Sequence, residues 1–454
     1  MPFPLGKPIL VMLIAATLSG IAILVHQPTP QTDLTLWTFA VDRGFELDHS
    51  ILNFYQGRTG VKVGVHVLLP RALDTRLVSL LMKSASDARG PDVVEVEIGS
   101  IGKFFRPPVS DIGFLPWNDY LDRTGLRSQF LASRLTVWSK DGQIFGLPQD
   151  VHPVSLTYRK DLYDLAGVDP TQARTWPQLQ QACLTFEQYW REHGQPRRHA
   201  MELLSHTSDY LEIMLQQRHV NTLDAENQVF LANPKVAQTI AFYTGLVTGP
   251  GQIASDPNPG DKRWPTDVIN GDLCMLLTPD WRASELHQLA PDLKGKLAMM
   301  PLPRFDPDDA PTASYGGTMM AIPRQCAHPQ EARALAVFLT TDRANFNANR
   351  LAGFDLIPPL PAQWSDPIYH QPDPFYADSQ SVDDLYVRLA RQLPARYVTP
   401  FTAVASIELS DVISHAVDYR IKYGDAGLKE KCQQWLDEAA VDLERRIQFG
   451  TFNN

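Results

Sequence analysis

The sequence lacks the short motifs that mark several common kinds of enzyme and metal protein. It contains no GxSxG nucleophile turn, no HExxH zinc helix and no GxxxxGK(S/T) phosphate loop. Its four cysteines stand far apart without a CxxC pair: Cys183, Cys274, Cys326 and Cys432. This spacing excludes a zinc ribbon and a thioredoxin-type redox site. We therefore expect no metal, no cofactor and no catalysed reaction.

The chain also has no excess of positive charge. Its 41 lysines and arginines stand against 51 aspartates and glutamates, which gives a net charge of −10. Nucleic acids and anionic membrane surfaces are polyanions and repel a protein of this charge. Neither is expected as a ligand, and uncharged or cationic solutes fit better.

Long apolar runs are absent after the N-terminus. Residues 9–25 form an uncharged run behind Lys7 that exceeds the roughly 7 to 15 residues of a cleavable signal and only just reaches a membrane span. The run predicts an N-terminal apolar helix that directs export, either as a removed signal or as an uncleaved anchor with Lys7 inside. The lack of a small-x-small site before His26 and of a following lipid-accepting cysteine favours the anchor. Residues 1–32 are assigned to this segment and its tether.

The remaining chain is long enough for two hydrophobic cores. About 420 residues exceed the roughly 250–300 that one core usually organises, and the composition, 44% hydrophobic and 20% charged, is that of a globular protein. Export would permit disulfides. Cys274, however, lies in the apolar run 273–277 and is expected to be a buried thiol.

Strands and helices alternate in the first part of the chain. Strand-like runs cover 34–39, 61–68 and 91–97, and helical spacing covers 45–59 and 71–86. This β-α-β-α-β order predicts an α/β fold with a parallel sheet covered by helices. Ligands of such sheets bind beyond the carboxyl ends of the strands. Four residues lie at these ends: Trp37, Thr38, Glu97 and Ser100.

The rest of the chain is richer in helices. Helical patterns cover 161–167, 176–190, 208–217, 234–246, 330–339, 382–392, 407–423 and 428–449. Strand-like runs cover the end of 268–277, 297–302 and 318–322.

Several segments, in this order, resemble the family 1 extracellular solute-binding proteins of ABC importers, the carbohydrate-binding class that is like maltose-binding protein. They are LTLWTF, FYQGRTGVKV, GPDVVEVEIGSIGKF, GQIFGLPQD, VSLTYRKDLYDLAGVD, TWPQL, VINGDLCMLLTPDW and SYGGTMMAIPRQCAHPQEARALAVFLTT. The likeness covers most of the chain. Unlike many relatives, this sequence has no lipid-anchoring cysteine after its apolar run.

The resemblance implies a two-lobed clamp of the periplasmic-binding-protein type, class II, with the ligand cleft between the lobes. Lobe I would comprise 33–146 and about 320–358, and lobe II 147–319 and about 359–454, with hinges near 146–148 and 316–317. Closure around a sugar or oligosaccharide would present the complex to the permease subunits of an importer. The protein would act as a monomer on the outer face of the cytoplasmic membrane.

Two alternatives stay open beside an importer component. The same clamp can serve as the ectodomain of a sensor that reports a solute to a membrane partner, and a retained N-terminal segment favours that role. The other alternative is an exported carbohydrate hydrolase with Glu97 and Asp150 as paired acid and nucleophile. The missing catalytic motifs give this alternative little support.

Aromatic candidates for the cleft follow from the shape of a sugar, whose apolar C–H faces stack on flat rings. Trp37 ends the first strand, and Trp281 follows the VINGDLCMLL run, where relatives commonly place a cleft aromatic. Tyr315 adjoins Gly316 and Gly317, which let a ligand approach the backbone. For each ring, packing in the core is the alternative interpretation.

Polar candidates follow from sugar hydroxyls, which donate their strongest hydrogen bonds to carboxylates. Glu97 and Ser100 follow the third strand, Thr38 follows the first, and Asp150 and His152 follow the predicted hinge at 146–148. A solvated or capping role is the alternative for each carboxylate, and a bond to the loop backbone is the alternative for His152.

Four further residues are left outside the predicted site. Glu95 is interpreted as structural because of its place in the alternating strand. Trp138, Arg324 and Phe354 could line a cleft, but nothing in the sequence distinguishes them from packing residues.

Overall fold

The computed structural model describes residues 12, 14–17, 32–40, 50–82, 90–255, 263–351, 353–354 and 356–450. Most of the predicted N-terminal apolar helix, 9–25, lies outside these residues; residues 12 and 14–17 are helical. Across the described ranges, no helix combines the length and apolar character that a membrane span needs.

Twelve strands are assigned within the described part of the chain. They are β1 Leu34–Thr38, β2 Val63–Val67, β3 Val93–Glu97, β4 Ser139–Lys140, β5 Gln143–Ile144, β6 Leu147–Pro148, β7 Val154–Arg159, β8 Met201–Glu202, β9 Ala254–Ser255, β10 Met275–Pro279, β11 Leu297–Met300 and β12 Thr318–Ala321.

The α-helices of the same residues account for much of the rest. They are α1 Leu52–Thr59, α2 Pro70–Met82, α3 Ile98–Ile101, α4 Asn118–Thr124, α5 Ala132–Val137, α6 Lys160–Leu165, α7 Trp176–Glu192, α8 Asp209–Gln217, α9 Pro234–Val247, α10 Trp264–Asn270, α11 Asp280–Leu289, α12 Pro329–Thr341, α13 Arg343–Leu351, α14 Val382–Ala390, α15 Thr402–Tyr423 and α16 Leu428–Gln448.

The first sheet has five strands in the order β2-β1-β3-β12-β6. β1 pairs in parallel with β2 and with β3, as the alternation of strands and helices predicts. β12 pairs antiparallel with both β3 and β6, so the prediction of a parallel sheet is right for three strands only. β12 returns from a distant part of the chain without a βαβ crossover, and local alternation carries no signal for such a return.

The second sheet is antiparallel, with β7 between β10 and β11. All six residues of β7 are buried, so it lacks the polar and apolar alternation that reveals a half-exposed strand. Helices α7, α9, α15 and α16 pack with this sheet in one hydrophobic core. Cys274 belongs to that core and is 1% exposed, which confirms the predicted buried thiol.

Helix α7 shows how local sequence begins an element of this core. The Thr175 side chain accepts a hydrogen bond from the Gln178 backbone, and the Gln178 side chain accepts one from the Thr175 backbone, a capping box. Leu179, Cys183 and Phe186 then recur at helical spacing and are fully buried. The cap fixes where the helix begins, and the apolar stripe fixes which face meets the sheet.

Three stretches of chain pass between the two sheets. The first, 149–153, joins β6 to β7, and the second, 301–317, joins β11 to β12. The third follows α13 and comprises the described residues 353–354 and 356–360. Phe346 of α13 packs in the core of the first sheet, whereas Ile357 of this stretch packs in a cluster with Leu276 of β10. The first two stretches touch at a β-bridge between Pro153 and Ser314. We call these three stretches the crossing segments.

Candidate functional site

A cavity of about 810 Å³ lies between the first sheet and helices α8 and α11, beside the crossing segments. One wall comes from the first sheet, where Glu95 and Glu97 of β3 line the space together with Phe39 beyond β1. The opposite wall comes from α8 and α11, and the first two crossing segments form the floor. The carboxyl ends of β1 and β3 therefore open onto this space, as expected for a sheet of this kind.

Two aromatic rings lie side by side, one on the wall opposite the first sheet and one on the floor. Trp281, the second residue of α11, and Tyr315, in the second crossing segment, have ring centroids 5.9 Å apart at an interplanar angle of 41°. The Trp281 indole N–H donates to the Tyr315 carbonyl at 3.1 Å, and the Tyr315 ring meets Tyr210 edge-on at 6.0 Å. Both Trp281 and Tyr315 are half-buried. They offer a partly exposed apolar surface beside polar groups, which suits a sugar face.

The floor holds a buried cluster of charged groups: Arg134, Asp150, His152 and Asp280. Arg134 Nη2 lies 3.3 Å from Asp150 Oδ1, and His152 Nε2 lies 3.1 Å from Asp150 Oδ2. The other ring nitrogen of His152 pairs with Asp280. Because each carboxylate has a cationic partner, the cluster can stay ionised without contact with water.

The protonation states of this cluster follow from its contacts. Burial alone would lower the pKa of His152, but the carboxylates of Asp150 and Asp280 outweigh it and raise the pKa to about 9. Burial alone would raise the pKa of Asp150, but His152, Arg134 and the Thr318 hydroxyl hold it below its usual range. His152 is therefore a cation and Asp150 an anion at neutral pH.

Gly316 and Gly317 are required by the geometry of the floor. Both have positive φ, 88° and 131°. A Cβ on Gly317 would lie 2.0 Å from Arg134 Nη2, and one on Gly316 would lie 3.3 Å from the Trp281 indole nitrogen. Only glycine lets the backbone pass this close to the charged cluster and the aromatic pair.

Glu97 is the carboxylate of the first wall that is open to solvent. Burial, followed by the nearby carboxylates of Asp74 and Glu95, raises its pKa. A hydroxyl donor at Glu97 would offset this repulsion, so the exposed Glu97 carboxylate is suited to accept hydrogen bonds.

The cavity brings together seven of the ten residues that the sequence predicts for the site. They are Glu97, Asp150, His152, Trp281, Tyr315, Gly316 and Gly317. Ligand contact by each remains a prediction. Asp150 and His152 already bond to the cluster, so the fold uses much of the hydrogen-bonding capacity that was expected for a solute.

The other three predicted residues do not line the cavity. The Ser100 hydroxyl donates to Asp74 Oδ2 at 2.7 Å, and the buried Thr38 hydroxyl donates to Glu95 Oε2 at 2.5 Å. Trp37 packs against the core cluster that contains Val94. Their positions at or just after the strand ends were predicted correctly, but a position at a strand end does not determine which way the side chain points.

Three lining residues on one helix were missed. Asp209, Glu212 and Gln216 line the cavity from α8 at helical spacing of i, i+3 and i+7. This periodicity is visible in the sequence and could have identified them. Glu95, interpreted as structural, borders the cavity but is fully buried and accepts the Thr38 hydrogen bond, as that interpretation expects.

The residues left undecided by the sequence fall into two groups. Phe354 lines the cavity, as do Leu356 and Arg396, which the sequence did not suggest. Trp138 is fully buried in the core, and Arg324 Nε donates to the Phe114 carbonyl at 3.2 Å. Arg396 lies in the loop before α15, and no local sequence pattern predicts that this loop reaches the cavity.

Comparison with known proteins places this arrangement in a family. The model of the bacterial extracellular solute-binding proteins matches residues 53–346. The chain belongs to this family. The family is extracellular, so this solute-binding protein is exported, and its members bind solutes.

Named relatives and solved structures agree with this assignment. The solute-binding protein is 23% identical over 350 residues to an arabinooligosaccharide-binding protein of Halalkalibacterium halodurans, covering 76% of this chain and 75% of the relative. It is 25% identical over 279 residues to an arabinooligosaccharide-binding protein of Bacillus subtilis, covering 60% of each. The sugar-binding protein MalE of Xanthomonas citri superposes with a TM-score of 0.73 at 18% identity, over 92% of this chain and 99% of that one. The predicted family and the two-lobed α/β fold are thus confirmed.

Proposed function

We propose that this solute-binding protein captures a sugar or oligosaccharide by closing its two lobes, and delivers it to the permease subunits of an ABC importer. The observation that carries the proposal is that the Trp281 and Tyr315 rings and the exposed carboxylate of Glu97 line one cavity. Rings cover the apolar faces of a sugar, and carboxylates accept from its hydroxyls. The volume, about 810 Å³, is within the range of sites for whole small ligands.

The names of the relatives support the same ligand class. Two of them are arabinooligosaccharide-binding proteins, and a lactose-binding protein of Rhizobium radiobacter is 23% identical over 313 residues. We propose that the ligand here is likewise an uncharged saccharide of more than one ring.

We further propose that the protein catalyses no reaction. A hydrolase built on Glu97 and Asp150 would need Asp150 free to attack or activate water. Both oxygens of Asp150 are instead engaged, by Arg134, His152 and the backbone and hydroxyl of Thr318. Such a carboxylate is a structural anion.

The lobe boundaries and hinges are also proposed. The predicted lobes are 33–146 with about 320–358, and 147–319 with about 359–454. Because β6 and the whole of β12 belong to the first sheet, we move 147–148 and 318–319 into lobe I. Support comes from α12, whose Leu335 packs in the core of the first sheet, and from α15 and α16, which pack with β7. Because β6 pairs with β12 inside the first sheet, we place the first hinge in 149–153, just after the predicted 146–148, and keep the second at 316–317.

The proposed membrane attachment concerns residues 1–32. We propose that they tether a monomeric protein to the outer face of the cytoplasmic membrane. The lack of a cleavage site and of a lipid-accepting cysteine supports this. Recovery of the protein in the membrane fraction, with residue 1 or 2 as its N-terminus, is expected; a soluble form beginning near residue 26 would contradict it.

Thermal unfolding of the purified protein tests the ligand class. Arabinotriose, lactose, maltotetraose, an amino acid mixture and glucose 6-phosphate are each added at rising concentration. A saccharide that binds only the folded protein stabilises it by about 2.7 kcal/mol at one hundred times its Kd. We expect an uncharged saccharide to raise Tm and Trp281→Ala to remove the shift.

Trp435→Ala is the matched control, because Trp435 lies on α16 and does not line the cavity. It should keep the saccharide-induced shift even if its own Tm is lower. No shift with any saccharide, or a shift with the amino acids or the sugar phosphate alone, would reject an uncharged saccharide as the ligand.

A further inference from the structure

His152 lies at the junction of the crossing segments. Its backbone carbonyl accepts a hydrogen bond from the Tyr315 N–H at 3.2 Å, which joins the first crossing segment to the second. Its ring reaches Asp150 on one side and Asp280, the first residue of α11, on the other. The residue adopts φ of 54°, a conformation that few residues other than glycine tolerate. The surrounding structure therefore fixes this imidazole in place.

Asp280 connects His152 to Trp281 through hydrogen bonds. It is fully buried, and Oδ1, the oxygen that meets His152, also accepts from the Trp281 backbone N–H at 2.9 Å. Oδ2 accepts from the Ile357 N–H at 2.8 Å, which brings in the third crossing segment. One carboxylate thus joins the start of α11 to the third crossing segment and, through His152, to the first.

The indole of Trp281 is held from its far side as well. Its N–H donates to the Tyr315 carbonyl at 3.1 Å, while the Tyr315 N–H is the group that bonds His152. Both ends of Trp281, backbone and indole, are therefore tied to groups that contact His152.

We propose that His152 and Asp280 are positioning residues that hold Trp281 in the orientation in which it stacks on the solute. This inference rests on the proposed function, because Trp281 matters for affinity only if the cavity holds a sugar. The pair acts through Trp281 and the crossing segments, and it links the aromatic platform to the region where the lobes must pivot.

The protonation state of His152 determines how many carboxylates its ring can bond. The ionisable groups around the ring are Asp150 on its own segment, Asp280 on α11 and, behind Asp150, Arg134 on α5. A protonated ring donates to both carboxylates, whereas a neutral ring has a single N–H and must release one of them. With the pKa of His152 raised to about 9, loss of this proton should move Trp281 near that pH.

The first measurement needs no ligand. The protein is labelled with 5-fluorotryptophan, and the ¹⁹F resonance of Trp281 is assigned by its loss in Trp281→Phe. In the wild-type protein we expect this resonance to shift with a midpoint near pH 9. In His152→Gln the titration should be absent, since glutamine cannot change its charge. A Trp281 resonance that does not respond to pH in the wild-type protein would overturn the proposal.

The second measurement is saccharide affinity by isothermal titration calorimetry at pH 7, with arabinotriose, lactose and maltotetraose as probes. We expect His152→Gln and Asp280→Asn each to weaken binding by about tenfold or more, the effect of losing a charge-assisted hydrogen bond. His287→Gln is the matched control, because His287 also lies on α11 and pairs with a carboxylate, Asp373 at 3.2 Å, but does not line the cavity. Its affinity should stay within about twofold of the wild type, well below the tenfold that marks a lost bond.

The outcomes separate the two proposals. If the wild-type protein binds none of the probes while its Trp281 resonance titrates as expected, the proposed function fails and the positioning role stands. If the wild-type protein binds a saccharide and His152→Gln binds it equally well, the positioning role fails and the proposed function stands. If His152→Gln does not fold, the wild-type titration and Asp280→Asn decide the question.

Discussion

His152 shows how a single residue can combine structural and binding roles. The sequence placed it in the site because it follows the hinge region, and the structure finds it on the floor of the cavity. Its ring nitrogens are nevertheless directed at two carboxylates of the protein. Asp150 is likewise engaged within the protein, by Arg134, His152 and Thr318, so a position in the cleft did not reveal what either side chain contacts.

The raised pKa of His152 predicts how stability depends on pH. Because the folded state binds this proton more tightly, the stabilisation is complete below the unfolded pKa of about 6.5 and is lost as pH rises through about 9. The expected loss is roughly 3 kcal/mol in the free energy of unfolding. Urea unfolding at pH 6, 7.5 and 9.5 measures it.

His152→Gln provides the comparison for that measurement. Groups other than His152 titrate similarly in both proteins, so the difference between their unfolding free energies should shrink as pH rises. Parallel curves across this range would show that His152 is not the group responsible.

At the scale of residues, the sequence predicted the cavity lining in part. Trp281 and the Gly316–Gly317 pair were found because their motifs resemble those of the family, whereas Asp209, Glu212 and Gln216 were missed although their helical spacing places them on one face of α8. Arg396 could not have been found, because only the tertiary fold brings its loop to the cavity. Residues on regular elements are predictable from periodicity, and residues on distant loops are not.

At the scale of elements, removal of the capping box of α7 tests how much local sequence contributes to the stability of the protein. Thr175→Ala removes the capping box and should lower the free energy of unfolding by about 1 kcal/mol, since the N–H groups of the first turn lose their acceptor. Urea unfolding measures the change. Affinity for a saccharide should be unaffected, because α7 does not line the cavity.

Thr185→Ala is the control on the same helix. Thr185 is exposed within α7, and its hydroxyl bonds only back to the Gln181 carbonyl. Alanine is the better helix former at such a position, so this variant should be neutral or slightly more stable. If both variants lower stability equally, the cap is not the cause.

Prediction of elements succeeded where a pattern repeats within one segment. β1, α7, α9 and the C-terminal helices α15 and α16 lie within a few residues of their predicted bounds. β7 was missed because it is buried along its whole length. The mixed order of the first sheet was missed because β12 joins β3 across more than two hundred residues of chain, and no local pattern encodes that pairing.

For the molecule as a whole, the crossing segments link the cavity to the relative position of the lobes. Asp150 and His152 lie on the first of these segments and form a buried, hydrogen-bonded charged cluster with Arg134 of α5 and Asp280 of α11. Such a cluster tolerates little local distortion, because separating its charges leaves one of them buried without a partner. We therefore expect lobe motion to pivot around the cluster, at 149–153 and 316–317, and to leave its bonds intact.

Small-angle X-ray scattering tests this motion. The proposed clamp predicts that a saccharide bound between Glu97 and Trp281 shifts the population toward a closed form, because contacts from both lobes exist together only when the cavity is shut. The radius of gyration should fall when arabinotriose or maltotetraose saturates the protein, as judged by calorimetry on the same sample.

Trp281→Ala, which loses the contact on one lobe, should keep the larger radius at the same sugar concentration, and Trp435→Ala should close normally. If a saccharide binds with measurable heat while the radius stays unchanged, the cavity holds the sugar without lobe closure, and recognition by a permease would have to depend on the ligand itself or on a local change at the cavity mouth.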